Sequence, residues 1–170
     1  GKSEELIRLA REAASAGKPI QVFKPSIDTR FPEEMVVTHS GERHPAQTVN
    51  DVDDLRMTIR PETRVIFVDE AQFFDVPIVQ LVVDLADKGR EVICAGLDQD
   101  FRREPFGQMP QLMAVADRLI KLRAVCALCG APASHTYRRN SGQDEPIVLI
   151  GGGSAYEARC RTCYDSAIGH

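Results

Sequence analysis

The sequence lacks any apolar run long enough to cross a membrane. Its longer apolar stretches, such as RVIFVDE at 64–70 and PIVQLVVDL at 77–85, fall far short of the roughly 20 residues that a membrane helix needs. No signal-peptide pattern opens the sequence. We therefore expect a cytoplasmic protein with no membrane partner.

An excess of basic charge is also absent. The 21 Lys and Arg residues are outnumbered by 25 Asp and Glu residues, which gives a formal net charge of −4. A protein that is drawn to nucleic acid by its overall field needs a positive balance. We therefore expect no nucleic-acid partner, and any anionic ligand must be held by a local site.

The length and composition are those of a small globular protein. Of the 170 residues, 43% are hydrophobic and 27% charged, which is not the composition of a disordered chain. Domains usually contain about 100–200 residues. The length therefore excludes two large domains and favours one medium domain, with or without a small appendage.

Apolar patterns of strand type alternate with patterns of helical type over the first 125 residues. This alternation predicts an α/β fold with a mostly parallel sheet and helices on both faces. Gly17 and Gly89 stand where helices would end. The predicted strands are 19–24, 64–68, 91–97 and 119–125, and the predicted helices are 4–17, 51–58, 77–89 and 110–118.

The cysteines predict a metal site in the remaining segment, 126–170. Four of the five form two C-x-x-C pairs, Cys126 with Cys129 and Cys160 with Cys163, and four thiolates suit tetrahedral zinc. A complete set of four sulfur ligands leaves no open position, so the zinc would be structural. The alternative is two unrelated redox or buried pairs. We interpret 126–170 as a small zinc-ribbon-like lobe and Cys94 as a core residue.

Two further motifs indicate nucleotide chemistry. The triplet Gly1-Lys2-Ser3 leads into a helix, as the last three residues of a P-loop do. Asp69 and Glu70 follow an apolar strand, as in a Walker B motif, where the first acid holds magnesium and the second acts as a base or orients water. Alone, the triplet could be a chance match and the acids could be solvated. Together they predict a P-loop domain over 1–125, whose first strand and remaining P-loop would precede residue 1.

Longer motifs resemble one family across essentially the whole chain. They are D-E-A-Q-F-F at 69–74, G-L-D-x-D-F-x-x-x-P-F-G at 96–107, the two cysteine pairs, G-G-x-x-x-Y-E-A-R-C at 151–160 and Asp28-Thr29-Arg30. With the G-K-S opening, they resemble the zinc-containing thymidine kinases of cells, bacteria and poxviruses. The resemblance implies a P-loop, RecA-like fold.

The resemblance also implies an activity and a set of site residues. Glu70 would take the proton of the thymidine 5′-hydroxyl as it attacks the γ-phosphate of ATP, giving dTMP for DNA synthesis by nucleotide salvage. Asp69 and Ser3 would serve Mg²⁺, beside structural Zn²⁺. Residues implied to bind ATP are Gly1, Lys2, Ser3, Asp28, Thr29, Arg30, Asp69, Ala71 and Gln72. Residues implied to bind thymidine are Phe73, Leu97, Phe101, Phe106, Thr136, Ile147, Val148, Leu149, Ile150, Gly151 and Tyr156.

The same resemblance implies a homotetramer and inhibition by the end product dTTP. Two other functions stay open. A P-loop ATPase or helicase-type fragment with a zinc ribbon would act on nucleic acid, and its ATP turnover would require polynucleotide rather than thymidine. A non-catalytic zinc-ribbon interaction module would lose no function on removal of Glu70.

Overall fold

The computed structural model of the protein describes residues 1–28, 35–37, 41–139 and 155–168. The chain divides into two compact units. We call Gly1–Asp98 with Gly107–Leu119 the sheet unit, and Gln99–Phe106 with Ile120–His170 the cysteine unit. The expected division into 1–125 and 126–170 stays a prediction. None of the described helices is long and apolar enough to span a membrane.

A parallel sheet forms the centre of the sheet unit. The strand order is β4-β1-β5-β6, and all three pairings are parallel. β2 and β3 form a separate antiparallel pair. The strands are β1 (Ile20–Pro25), β2 (Met35–Val37), β3 (Arg43–Pro45), β4 (Gln47–Val49), β5 (Val65–Val68) and β6 (Glu91–Cys94).

Helices cover both faces of this sheet. They are α1 (Lys2–Ser15), α2 (Val52–Thr58), α3 (Pro77–Asp87) and α4 (Met109–Val115). Because successive side chains of a strand point to opposite faces, β5 contributes to two cores. Val65 and Phe67 pack in the cluster that contains α1, whereas Ile66 and Val68 pack in the cluster that contains α2, α3 and α4. The predicted α/β fold with a mostly parallel sheet is confirmed.

The helix ends follow the expected glycine signals. Gly17 and Gly89, which come shortly after α1 and α3, have φ angles of 74° and 75°. This left-handed conformation costs glycine little, because it has no Cβ. α4 ends at Val115, three residues before the predicted end.

The third predicted strand is shorter than expected because of the hydrogen bonds that its last residues make. β6 ends at Cys94 rather than at Leu97. The Ala95 N–H donates to the Val68 carbonyl at 2.8 Å, and the Ala95 carbonyl accepts from Ala71 N at 2.9 Å. Leu97 N instead donates to a side chain, that of Gln72, at 3.1 Å. The backbone beyond Cys94 is therefore bound to the last residue of β5 and to the chain that follows it.

The cysteine unit is built from hairpins and one helix. The predicted strand 119–125 is reduced to its last two residues, because Cys126 N donates to the Ala131 carbonyl at 2.8 Å and so turns the chain into a hairpin. β7 therefore pairs antiparallel with β8 and does not extend the parallel sheet. β9 and β10 form a second antiparallel pair. The elements are β7 (Ala124–Val125), β8 (Pro132–Ala133), β9 (His135–Arg138), β10 (Tyr156–Arg159) and α5 (Arg161–Ile168).

We predict that Asp51→Ala lowers the free energy of unfolding by about 1 kcal/mol. The Asp51 side chain caps α2 by accepting from Asp54 N at 2.8 Å, and the buried Val52 and Leu55 depend on that helix. Asp53→Ala is the matched control, because Asp53 is an exposed acid of the same turn. Urea unfolding of both variants measures the difference, and equal midpoints would contradict the capping role.

Candidate active site and metal centre

The G-K-S triplet and the first acid of the predicted Walker B motif meet in the sheet unit. Ser3 lies in the first turn of α1, and Asp69 directly follows β5. The Ser3 hydroxyl donates to Asp69 Oδ2 at 3.1 Å. The structure therefore brings together the two side chains that the sequence assigns to magnesium.

Asp69 is a buried carboxylate with spare bonding capacity. It is 4% exposed, and its Oδ1 has no hydrogen-bond partner among the described residues. Burial, and then the negative charge of Glu70, raise the pKa of Asp69 to about 6, while Lys2 and Ser3 act in the opposite direction. Buried polar atoms usually have partners, and Mg²⁺ prefers oxygen ligands. The donor set therefore fits a magnesium ion.

Glu70 occupies an unusual backbone conformation. Its φ angle is 50°, in the left-handed region, which costs a non-glycine residue about 1–3 kcal/mol. The neighbouring bonds require this turn: Asp69 N still donates to the Phe23 carbonyl as a strand residue, and Ala71 N already donates to Ala95. Strain of this kind is concentrated at functional sites, so the backbone identifies Glu70 as a candidate catalytic residue.

The side chain of Gln72 fixes the carboxylate of Glu70. Gln72 Nε2 donates to Glu70 Oε2 at 2.5 Å, and Gln72 Oε1 accepts from Leu97 N at 3.1 Å. Glu70 and Gln72 are 6% and 3% exposed. Both ends of the amide are therefore used within the protein, one to hold Glu70 and one to anchor the chain after β6.

Two glycines leave room for Gln72. A Cβ on Gly96 would lie 2.7 Å from Gln72 Oε1, and a Cβ on Gly107 would lie 2.1 Å from the Gln72 carbonyl oxygen. Gly107 also has a φ angle of 51°. A larger residue at Gly107 would have to displace the backbone of Gln72, and one at Gly96 would have to displace the side chain of Gln72. Sequence reasoning included both glycines in a motif but gave neither a role.

The remaining predicted ATP and thymidine residues differ in how deeply they are buried, and some of them are not described by the structure. Ala71 is fully buried, and Asp28 is nearly so, in the turn after β1. Lys2, Phe73 and Leu97 are half-buried. Thr29, Arg30 and residues 147–151, which include Ile147, Val148, Leu149, Ile150 and Gly151, lie outside the described residues.

Two predicted thymidine residues share a partner in the cysteine unit. The Arg138 guanidinium lies 5.2 Å from the centre of the Phe101 ring and 5.8 Å from that of Tyr156. Arg138 is 3% exposed, and a buried cation over an aromatic face is attracted to it. Phe106 and Thr136 are in the same unit. Sequence reasoning missed Arg138, because an arginine in a short basic stretch carries no sign of burial.

The four paired cysteines form one cluster. The Sγ atoms of Cys126, Cys129, Cys160 and Cys163 all lie within 4.8 Å of one another. The Cys129 and Cys160 sulfurs are 3.7 Å apart, close to the ~3.8 Å that tetrahedral zinc with Zn–S bonds of about 2.3 Å requires. The predicted zinc-binding set is confirmed as a cluster, and its full complement of sulfurs suits a structural ion. Cys94 lies apart, against the core of the sheet unit.

A comparison with known families decides between the sequence-based alternatives at the level of the family. A thymidine kinase family model matches residues 1–164 of the 170. The chain belongs to the thymidine kinase family. Its activity is therefore that of a phosphotransferase, and its small-molecule substrate is thymidine. The resemblance derived from the motifs is confirmed.

We predict that Cys160→Ser lowers the melting temperature and the zinc content together, with loss of thymidine binding, because a zinc site contributes directly to folding. Cys94→Ala is the matched control: it removes a thiol outside the cluster and should retain the metal. Metal analysis and thermal unfolding of both purified variants provide the test. Active protein without zinc would refute the assignment.

Proposed function

We propose that the protein transfers the γ-phosphoryl group of ATP to the 5′-hydroxyl of thymidine, with Glu70 as the general base and Asp69 and Ser3 serving Mg²⁺. The observation that carries this proposal is the arrangement of two adjacent buried acids at the end of β5. Gln72 binds the carboxylate of Glu70. One oxygen of Asp69 is bonded to Ser3, and the other has no hydrogen-bond partner among the described residues. One acid is thereby suited to the hydroxyl and the other to the cation.

The proposed chemistry demands alignment more than basicity. Phosphoryl transfer is catalysed mainly by positioning and charge neutralisation, so a carboxylate in a fixed place is sufficient. Glu70 accepts the proton of the 5′-hydroxyl, and its bond to Gln72 keeps the accepting carboxylate from rotating. When bound, Mg²⁺ neutralises charge on the phosphates. Asp69 and Ser3 supply oxygen atoms for it.

We assign the phosphates of ATP to the start of α1. Gly1, Lys2 and Ser3 stand at the helix N-terminus, where free N–H groups and the helix dipole attract anions, and Lys2 adds a positive charge. Asp28, Thr29, Arg30, Ala71 and Gln72 remain assigned to the triphosphate region, Gln72 with the additional task of holding Glu70.

We assign the base and sugar of thymidine to Phe73, Leu97, Phe101, Phe106, Thr136, Tyr156 and residues 147–151. Support for two of them comes from Arg138, which faces both the Phe101 and the Tyr156 ring. The family resemblance further predicts a homotetramer, inhibition by dTTP and a cytoplasmic location.

The competing proposal is an ATPase that acts on nucleic acid. The net charge of −4 opposes it, because a track for polynucleotide is positively charged. ADP release by the full-length protein, measured with thymidine or with single-stranded DNA as the second substrate, distinguishes the two. Stimulation by DNA alone would overturn the kinase proposal.

We predict that Glu70→Gln lowers turnover by about 10²–10⁴, because it removes the general base but keeps the shape of the side chain. Thymidine and ATP should still bind. Asp69→Asn should in addition weaken magnesium-dependent ATP binding. Thymidine-dependent ADP release and calorimetric binding measure both effects. Turnover of Glu70→Gln at the parent rate would refute the mechanism.

We predict that Gln72→Leu lowers kcat by about 10–100-fold, because small displacements of a catalytic group can cost 10²-fold, with a smaller change in the KM for thymidine. Gln80→Leu is the matched control: the amide of Gln80 also donates to a carboxylate, Asp84 Oδ1 at 2.7 Å, but on the exposed face of α3. Steady-state kinetics compare the variants. Equal kcat values would show that Glu70 does not need Gln72.

A further inference from the structure

The segment Gln99–Phe106, which we call the substrate loop, is a tightly bonded turn. Asp100 Oδ1 accepts from Arg102 N at 2.8 Å and from Glu104 N at 3.0 Å, and Asp100 N donates to the Glu104 carbonyl at 2.9 Å. Asp100 is 6% exposed. The loop carries two residues assigned to thymidine, Phe101 and Phe106.

Arg103 takes a strained backbone conformation within this loop. Its φ angle is 67°, which glycine adopts freely and arginine does not. The side chain is engaged in two contacts: the guanidinium lies 4.0 Å from the centre of the Tyr164 ring and forms an ion pair with Asp165. The Arg103 and Asp165 side chains are only 22% and 33% exposed. These contacts offset the backbone strain.

The partners of the loop are attached directly to the metal centre. Tyr164 and Asp165 follow Cys163 in α5, and Tyr164 N donates to the Cys160 carbonyl at 2.9 Å. The Tyr164 hydroxyl donates to the carbonyl of Phe101, and Tyr164 is 4% exposed. The backbone of Phe101 is thus bound to the helix that contains one zinc ligand and begins next to another.

We propose that Arg103, Tyr164 and Asp165 are positioning residues that hold the substrate loop against the zinc-bound helix and thereby set the affinity for thymidine. The proposal rests on the proposed function, since it takes Phe101 as a wall of the thymidine site. The zinc ion affects thymidine binding through this three-residue clamp and takes no part in phosphoryl transfer.

Asp165→Asn tests the clamp, because it removes the charge of the ion pair and keeps the shape. A partly buried hydrogen bond between charged groups stabilises the loop in its binding conformation. Its loss should therefore raise the KM for thymidine by about three- to tenfold. The KM for ATP and the zinc content should not change. Ser166→Ala is the matched control: Ser166 is exposed on the same helix and donates to the Thr162 carbonyl, so all three quantities should stay at parent values.

Limited trypsin digestion adds a readout that is independent of activity. Arg102 and Arg103 are trypsin sites in the loop, and the Arg102 side chain is 46% exposed. Cleavage of a surface loop follows its local opening. Cleavage after these residues in the zinc-loaded protein should be faster in Asp165→Asn than in the parent or in Ser166→Ala.

Arg103→Gly and Arg103→Lys separate positioning from stability. Glycine relieves the positive φ and removes the side-chain contacts, so its KM for thymidine should rise although folding is not weakened. Lysine keeps a cation and should retain part of the affinity. The double variant Arg103→Asp with Asp165→Arg restores opposite charges and should recover part of the loss in KM.

The outcomes separate the clamp from the proposed function. Parent-like KM and parent-like trypsin cleavage in Asp165→Asn would overturn the clamp and leave the kinase mechanism intact. If the parent protein did not phosphorylate thymidine, the proposed function would fail, and the clamp as proposed would fail with it. Faster cleavage with a higher KM in active protein supports both.

Discussion

Two neighbouring carboxylates buried at the end of one strand are the constraint on which the sheet unit depends. Asp69 and Glu70 are 4% and 6% exposed, and buried charges are costly unless they are paired or bound to a metal. Each acid is accommodated in a different way. One oxygen of Asp69 accepts from the Ser3 hydroxyl, and the other has no hydrogen-bond partner in the part of the chain that the structure describes, whereas Glu70 accepts from an amide. The two carboxyl groups therefore differ in their surroundings although they are adjacent in the chain.

The left-handed turn at Glu70 follows from the same constraint. Asp69 N donates to Phe23 in β1, whereas Ala71 N donates to Ala95 beyond β6. The backbone N–H groups therefore change from one neighbouring strand to the other across Glu70. Gly96 and Gly107 leave space for Gln72, since a Cβ on them would lie 2.7 Å from its Oε1 and 2.1 Å from its carbonyl oxygen. The strained backbone is therefore flanked by hydrogen bonds to Phe23 in β1 and to Ala95 in the chain after β6, and the Glu70 carboxylate is fixed by Gln72.

The sequence-based predictions were most successful for features that are determined by residues close together in the chain. The structure contains the features that each lie within one short stretch of sequence. These are the helical periods of α1 and α3 with their terminal glycines, the apolar run of β5 and the two C-x-x-C pairs. The sequence-based predictions were wrong where the local structure depends on a residue that is distant in the sequence. The composition of 91–97 favours strand throughout, but Leu97 N is bound by Gln72. Residues 119–125 are apolar enough for a strand, yet the cysteine hairpin determines their pairing. Arg103 and Arg138 show only charge in the sequence, because their roles come from rings elsewhere in the chain.

The cysteine unit explains why a kinase domain would carry a metal that does no chemistry. Among its described residues, the buried apolar side chains are Cys126, Ala133 and Tyr164, too few for an ordinary hydrophobic core. Arginines that pack against aromatic rings replace part of such a core. The Arg159 guanidinium lies 3.4 Å from the centre of the Tyr137 ring, and the Arg103 guanidinium lies 4.0 Å from that of Tyr164. Such contacts require fixed geometry, since a cation attracts a ring only over its face. Four thiolates joined by zinc can supply that geometry. Under the proposed clamp, the order of the substrate loop would therefore come from the metal rather than from apolar burial.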